Sequence, residues 1–73
     1  MPAMNPNDLT GHGLSGLVCQ EIAKQVTAGL ADASKLAAAG VTPIAAQRVA
    51  ALVTGGESDA KILANAVNKH RVK

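Results

Sequence analysis

The sequence predicts an all-α fold, a small helical hairpin or three-helix arrangement that follows a flexible N-terminal arm. Three observations predict it. The 73 residues include 15 Ala and no Phe, Trp or Tyr, so the core must be built from small and branched aliphatic side chains in closely packed helices. Apolar residues recur at spacings of three and four. Gly and Pro residues mark where helices end and begin.

The first 13 residues are expected to be an irregular arm. Turn and breaker residues crowd this stretch, among them Pro2, Pro6, Gly11 and Gly13, and few of its residues are apolar. The length allows only one domain. We therefore divide the chain into an arm, residues 1–13, and a single α-helical domain, residues 14–73.

The helical pattern begins at Leu14 and predicts one long amphipathic helix over residues 15–39. Ser15 is its expected N-cap, and Gly40 is its expected stop. Gly29 interrupts the pattern, and we interpret it as a tolerated weak point or a place where another helix crosses closely. The apolar stripe through this helix is Leu14, Leu17, Val18, Ile22, Val26, Leu30, Ala33, Leu36 and Ala37.

Two short helices are expected to lie end to end along the long one. The first spans residues 43–54, because Thr42 provides an N-cap and Pro43 suits the first helical position. A Gly pair at 55–56 ends it. The second spans residues 59–70 and is expected to take Ser58 as its cap.

The large aliphatic side chains are few for a domain of this size, and a single Cys allows no internal disulfide. We therefore expect partner chains to complete the core. The residues predicted to be buried, partly within the chain and partly across an interface, are Leu17, Ile22, Val26, Leu30, Val49, Leu52, Leu63 and Val67.

Positive charge is concentrated at the C-terminal end. Residues 1–60 carry three Lys or Arg and five Asp or Glu, a balance of −2, whereas residues 61–73 carry four cations and no acid, a balance of +4. Cations at a helix C-terminus are favourable without any partner. The alternative is contact with an anionic partner such as a nucleic-acid backbone or an acidic protein. The candidate residues for that contact are Arg48, Lys69, Arg71 and Lys73.

Residues 36–55 resemble the turn and second helix of bacterial helix-turn-helix regulators. Gly40 matches the turn, Val41 and Thr42 the apolar and capping pair after it, and Val49 a buried position of the second helix. The resemblance implies that Gln47 and Arg48 would face the major groove of DNA. The sequence departs from the pattern at Leu36, where such motifs place a small Ala, and at Ala46, where they place Val or Ile.

No enzymatic motif has its required context. Gly11, Gly13 and Gly16 match the dinucleotide-binding spacing, but no strand precedes them and no βαβ unit fits. His12 has no other metal ligand at suitable spacing, and Cys19 fits a small packing residue. We expect no catalytic, cofactor-binding or metal site and no small-molecule substrate.

The sequence therefore favours a non-enzymatic, alanine-rich structural protein that packs against itself or a larger partner. A minor component of a macromolecular assembly, such as a phage virion, is one such role. The alternative is a small DNA-binding regulator that uses residues 36–55 and the basic tail. The N-terminus shows no secretory signal, and no long apolar run predicts a membrane span. We expect the protein in the cytoplasm or in a particle assembled inside the cell.

Overall fold

The computed structural model describes the backbone of residues 4–71 and the side chains of residues 4–69. Over this range the fold is all-α, as predicted, with helices α1 (Gly16–Ala28), α2 (Ala33–Ala39), α3 (Pro43–Thr54) and α4 (Ala60–Arg71). A 3-10 turn, Pro6–Asp8, precedes them. The short helix over 43–54 matches its predicted bounds, and the last helix begins one residue later than predicted.

The long helix predicted over residues 15–39 is wrong, because the chain turns a corner between α1 and α2. Gly29 takes a left-handed conformation with φ of 72°. The N–H of Leu30 then donates to the carbonyl of Gln25, and the N–H of Gly29 donates to that of Val26. These two bonds form a Schellman motif, which ends a helix by satisfying its last carbonyls. Asp32 begins α2, since its carboxylate accepts the N–H groups of Ser34 and Lys35.

The same motif ends α2 and α3. At the end of α2, Gly40 has a φ of 118°, and the N–H of Val41 donates to the carbonyl of Leu36. At the end of α3, Gly56 has a φ of 88°, and the N–H of Glu57 donates to the carbonyl of Leu52. All three connections between helices thus have a glycine in the left-handed region as their first or second residue, where an L side chain would be strained.

The cap of α4 is Asp59 and not Ser58, the residue predicted for it. The carboxylate of Asp59 accepts the N–H of Lys61 at 2.9 Å, and its carbonyl accepts the N–H of Leu63. Asp59 is itself held by Glu57, whose carboxylate accepts the Asp59 N–H at 3.1 Å. A carboxylate also complements the positive end of the helix better than a hydroxyl does, which favours Asp59.

Residues 4–13 are irregular apart from the 3-10 turn, yet they pack onto the helices instead of forming a free arm. Met4 and Leu9 belong to the same buried core as the helices. The backbone N–H of Met4 donates to Oγ1 of Thr27 on α1 at 3.0 Å. Residues 1–3, the rest of the predicted arm, lie outside the described residues.

The core closes within one chain. Its most completely buried large side chains come from the N-terminal segment and from all four helices: Leu9, Cys19, Ile22, Leu36, Val49 and Leu63. Helix α4 packs mainly against α3, whereas α1 contacts α2, α3 and the 3-10 turn. The N-terminal segment thus adds two apolar side chains, Met4 and Leu9, to the core of the helices. Among the described residues no helix has the length and apolarity needed to cross a bilayer.

Candidate functional site

The predicted core and interface residues fall into two groups. Within the chain, Ile22, Val26, Val49, Leu63 and Val67 are buried and Leu52 is partly buried. Leu17 and Leu30 are 68% and 73% exposed. Leu17 is five residues before Ile22, and five steps of about 100° place it about 140° around the helix from that core residue. Leu30 is exposed because the chain leaves the helix at Gly29.

Leu17 and Leu30 lie on one surface formed by α1 and α2. Leu17 lines one groove on this surface, of about 420 Å³, and Leu30 lines another, of about 370 Å³. The two grooves share Glu21, Lys24 and Lys35, so they are adjacent parts of one surface. We call this surface, with Leu17, Glu21, Lys24, Leu30, Asp32 and Lys35 as its principal residues, the leucine face.

The charges on the leucine face are balanced. Glu21 and Asp32 supply two carboxylates, and Lys24 and Lys35 supply two ammonium groups. Glu21 is positioned by Gln25, whose Nε2 donates to its carboxylate at 2.9 Å. The face therefore offers exposed leucines at both ends and charges of both signs between them.

A separate groove, of about 360 Å³, lies between α3 and α4 and has a different character. It is lined by Arg48, Leu52, Ile62, Asn65, Ala66 and Lys69. Arg48 and Lys69, two of the four candidates for anion contact, thus come together from separate helices. None of the lining residues is acidic. We call this the α3/α4 groove.

The other two candidates for anion contact cannot be placed. The backbone of Arg71 ends α4, but its side chain lies outside the described residues, as does all of Lys73.

The segment that resembles a helix-turn-helix motif forms two helices, α2 and α3, which are joined by three residues, 40–42. Gln47 and Arg48 are exposed on α3, as that resemblance implies.

Two large apolar residues that were not predicted to lie at an interface, Ile62 and Ile44, are exposed. Ile62, beside the buried Leu63 on α4, is 42% exposed and lines the α3/α4 groove. Ile44, on the first turn of α3, is 67% exposed. The signal for Ile62 is its position between Lys61 and Leu63: neighbouring residues on a helix face different directions, so both large apolar residues cannot be central to one core.

The only Cys is buried in the core. Its Sγ lies 3.9 Å from the carbonyl oxygen of Leu14, a weak hydrogen-bond contact. Burial raises the pKa of the Cys19 thiol, which keeps it protonated and poorly nucleophilic. Within the described part of the chain, no group of three or more His, Cys, Asp or Glu side chains is placed to hold a metal ion.

Comparison with known proteins gives no assignment: no family model, curated protein or solved structure matches this chain. The functional interpretation therefore depends on the two surfaces and on the chemistry of their residues.

Proposed function

We propose that this protein is a non-enzymatic structural subunit that associates with copies of itself through the leucine face. The observation that carries the proposal is the contrast between a closed core and two leucines, Leu17 and Leu30, that remain about 70% exposed on one surface. Exposed apolar patches framed by polar residues are typical of protein–protein contacts.

Charge balance is the reason for preferring a second copy as the partner. In a two-fold symmetric contact each residue meets the same patch of the other subunit, so the patch must be self-complementary. The leucine face has two carboxylates and two ammonium groups between its leucines, so the carboxylates of one copy can meet the lysines of the other. A face of one charge sign would repel its own copy.

Self-association would suit a component of a larger assembly, for which a virion is one setting. The buried free thiol of Cys19 suits a reducing compartment. We propose that the protein acts in the cytoplasm or in a particle assembled inside the cell.

Sedimentation equilibrium over a concentration series tests the proposal. The mass is expected to rise above the 7.3 kDa of one chain as concentration increases. A Leu17→Gln and Leu30→Gln double variant should remain at the monomer mass, since it removes both apolar ends of the face. Ile44→Gln is the matched control, because Ile44 is 67% exposed on α3, and it should associate like the wild type. A wild-type chain that stays monomeric throughout the series contradicts the proposal.

A second candidate is DNA binding by a helix-turn-helix, favoured by the short α2–α3 connection and by the exposure of Gln47 and Arg48. This candidate predicts that the affinity for duplex DNA falls steeply with salt and that Arg48→Ala changes the base preference. Fluorescence anisotropy with labelled duplexes measures both. Absence of binding at low salt would dismiss it.

A further inference from the structure

The α3/α4 groove differs from the leucine face in a way that bears on its partner. Arg48 and Lys69 are both exposed and both cationic, and no lining residue carries a negative charge. Two copies of this groove would therefore repel each other. The charge of the groove therefore favours an occupant that carries net negative charge, which the balanced leucine face lacks.

Apolar side chains supply the rest of the groove. Leu52 is partly buried, Ala66 is buried, and Ile62 is 42% exposed. Leu52 and Ile62 are each three residues from the connection at 55–59, whereas Arg48 is seven residues and Lys69 ten residues from it. Along the chain, the groove thus has an apolar part beside the connection and a cationic part away from it.

From this arrangement we infer that the α3/α4 groove binds an acidic amphipathic helix of a partner protein. An amphipathic helix presents side chains three, four and seven residues apart along one face. A Leu-like side chain would contact Leu52 and Ile62, while a carboxylate one or two turns along the helix would pair with Arg48 and Lys69. The exposed amide of Asn65 provides a further donor for a carboxylate or a free carbonyl.

The apolar residues favour a protein over a nucleic acid. Phosphate contacts need cations and hydrogen-bond donors, and they gain nothing from an exposed Ile beside a Leu. A helical peptide uses both parts of the groove, because burial of its apolar side chain adds to the charge pairing. Duplex DNA is therefore the competing occupant to be tested.

The probe is a fluorescein-labelled, stapled helical peptide of about 16 residues, with Leu and Glu at three- and four-residue spacing on one face. Its titration into the full chain is followed by anisotropy and by amide chemical shifts. We expect saturable binding, with shifts centred on Arg48, Leu52, Ile62 and Lys69. The same peptide with every Glu replaced by Gln should bind roughly tenfold more weakly.

Variants of the chain locate the site. Arg48→Gln with Lys69→Gln should weaken binding of the acidic peptide by roughly tenfold or more. Lys61→Gln is the matched control, because Lys61 is an exposed cation of α4 that lines neither surface, and the variant should leave the affinity unchanged. Circular dichroism should show that all variants keep the wild-type helix content.

Three results would overturn the inference: no binding of the acidic peptide, equal binding of the Glu and Gln peptides, or binding insensitive to the double substitution. Tighter binding of a duplex DNA that displaces the peptide would assign the groove to nucleic acid. The inference goes beyond self-association and fails separately from it, because sedimentation of the Leu17 and Leu30 double variant tests a surface that shares no residue with this groove.

Discussion

Gln25 and Asp32 exchange two hydrogen bonds across the corner between α1 and α2. Nε2 of Gln25 donates to the carbonyl oxygen of Asp32 at 3.0 Å, and the N–H of Asp32 donates to Oε1 of Gln25 at 3.0 Å. Gln25 is a buried polar side chain, only 4% exposed. Its amide gives the Asp32 N–H an acceptor and gives the Asp32 carbonyl a second donor besides the N–H of Leu36.

Replacement of Gln25 by Met, which has a similar shape, is expected to lower the free energy of unfolding by about 1–3 kcal/mol, because the Asp32 N–H loses its acceptor and the Asp32 carbonyl keeps only the N–H of Leu36. Urea unfolding at fixed protein concentration measures the change. Gln20→Met is the control, since Gln20 is exposed on the same helix, and it should unfold near the wild-type midpoint. Equal stability of the two variants would mean that the Gln25 contacts contribute nothing net.

Replacement by Ala of the two glycines at the ends of α1, Gly16 and Gly29, should change the free energy of unfolding in opposite directions. Gly29→Ala forces a β-carbon into a left-handed conformation with φ of 72° and should cost about 1–2 kcal/mol. Gly16→Ala, at the first residue of the helix, adds a β-carbon that meets nothing within 4 Å and should gain about 0.4–1 kcal/mol. Thermal unfolding of both variants checks the signs. A stabilising Gly29→Ala would instead support a continuous helix across residues 15–39.

Leu9 tests whether the N-terminal segment is part of the folded core. Because Leu9 is fully buried, Leu9→Ala should destabilise the fold by about 2–5 kcal/mol. Leu17→Ala is the comparison, since Leu17 is 68% exposed, and in dilute solution it should change stability by no more than about 0.5 kcal/mol. Denaturant titrations of both variants measure the difference. Similar small effects would place Leu9 outside the core.

Cys19 should be protected from thiol reagents in the native state. Burial raises the pKa of the Cys19 thiol, so little thiolate forms at neutral pH and reagent access needs an opening of the fold. The reaction with a chromogenic disulfide, followed by absorbance, should be at least roughly tenfold slower than in denaturant. A native rate equal to the denatured rate would contradict this burial.

The raised pKa of the Cys19 thiol makes the free energy of unfolding depend on pH. The unfolded thiol ionises above about pH 8.5, whereas the folded thiol ionises at a higher pH because its pKa is raised. At a pH between these two pKa values, unfolding therefore releases a proton from the thiol. The contribution of Cys19 to stability is lost as the pH rises through this range. The Cys19→Ala variant is compared with the wild type by urea unfolding at pH 7 and above pH 9. Its free energy of unfolding should fall less between these two pH values than that of the wild type. A wild-type loss no larger than that of the variant would contradict the assignment.

The sequence predicted helix boundaries well where glycine coincided with a break in the apolar pattern. Gly40 is followed by Thr42 and Pro43, and the Gly pair at 55–56 interrupts the period, so both stops were evident. Gly29 was missed because Leu30, Ala33 and Leu36 continue the stripe beyond it. The overlooked signal was Asp32, a good N-cap three residues after a glycine.

Some residues of the candidate surfaces could be predicted from the sequence, but not how these residues come together. Composition and charge identified Arg48 and Lys69 as candidate anion contacts, but their meeting in one groove depends on how α3 packs against α4. The leucine face could not be predicted at all, since it depends on the turn at Gly29, which places α2 beside α1. Tertiary packing decides which exposed side chains become neighbours, and helical periodicity carries no information on it.

Two contacts of the N-terminal segment join residues far apart in the chain. Met4 bonds to Thr27, and Nδ2 of Asn68 donates to the carbonyl oxygen of His12 at 2.7 Å across 56 positions. The segment thus bridges the first helix and the last. Because both helices depend on this bridge, release of the segment weakens them together, and we expect their slowest amide hydrogens to exchange through one shared opening. We therefore expect the helices to unfold as one cooperative unit instead of as a string of separable hairpins.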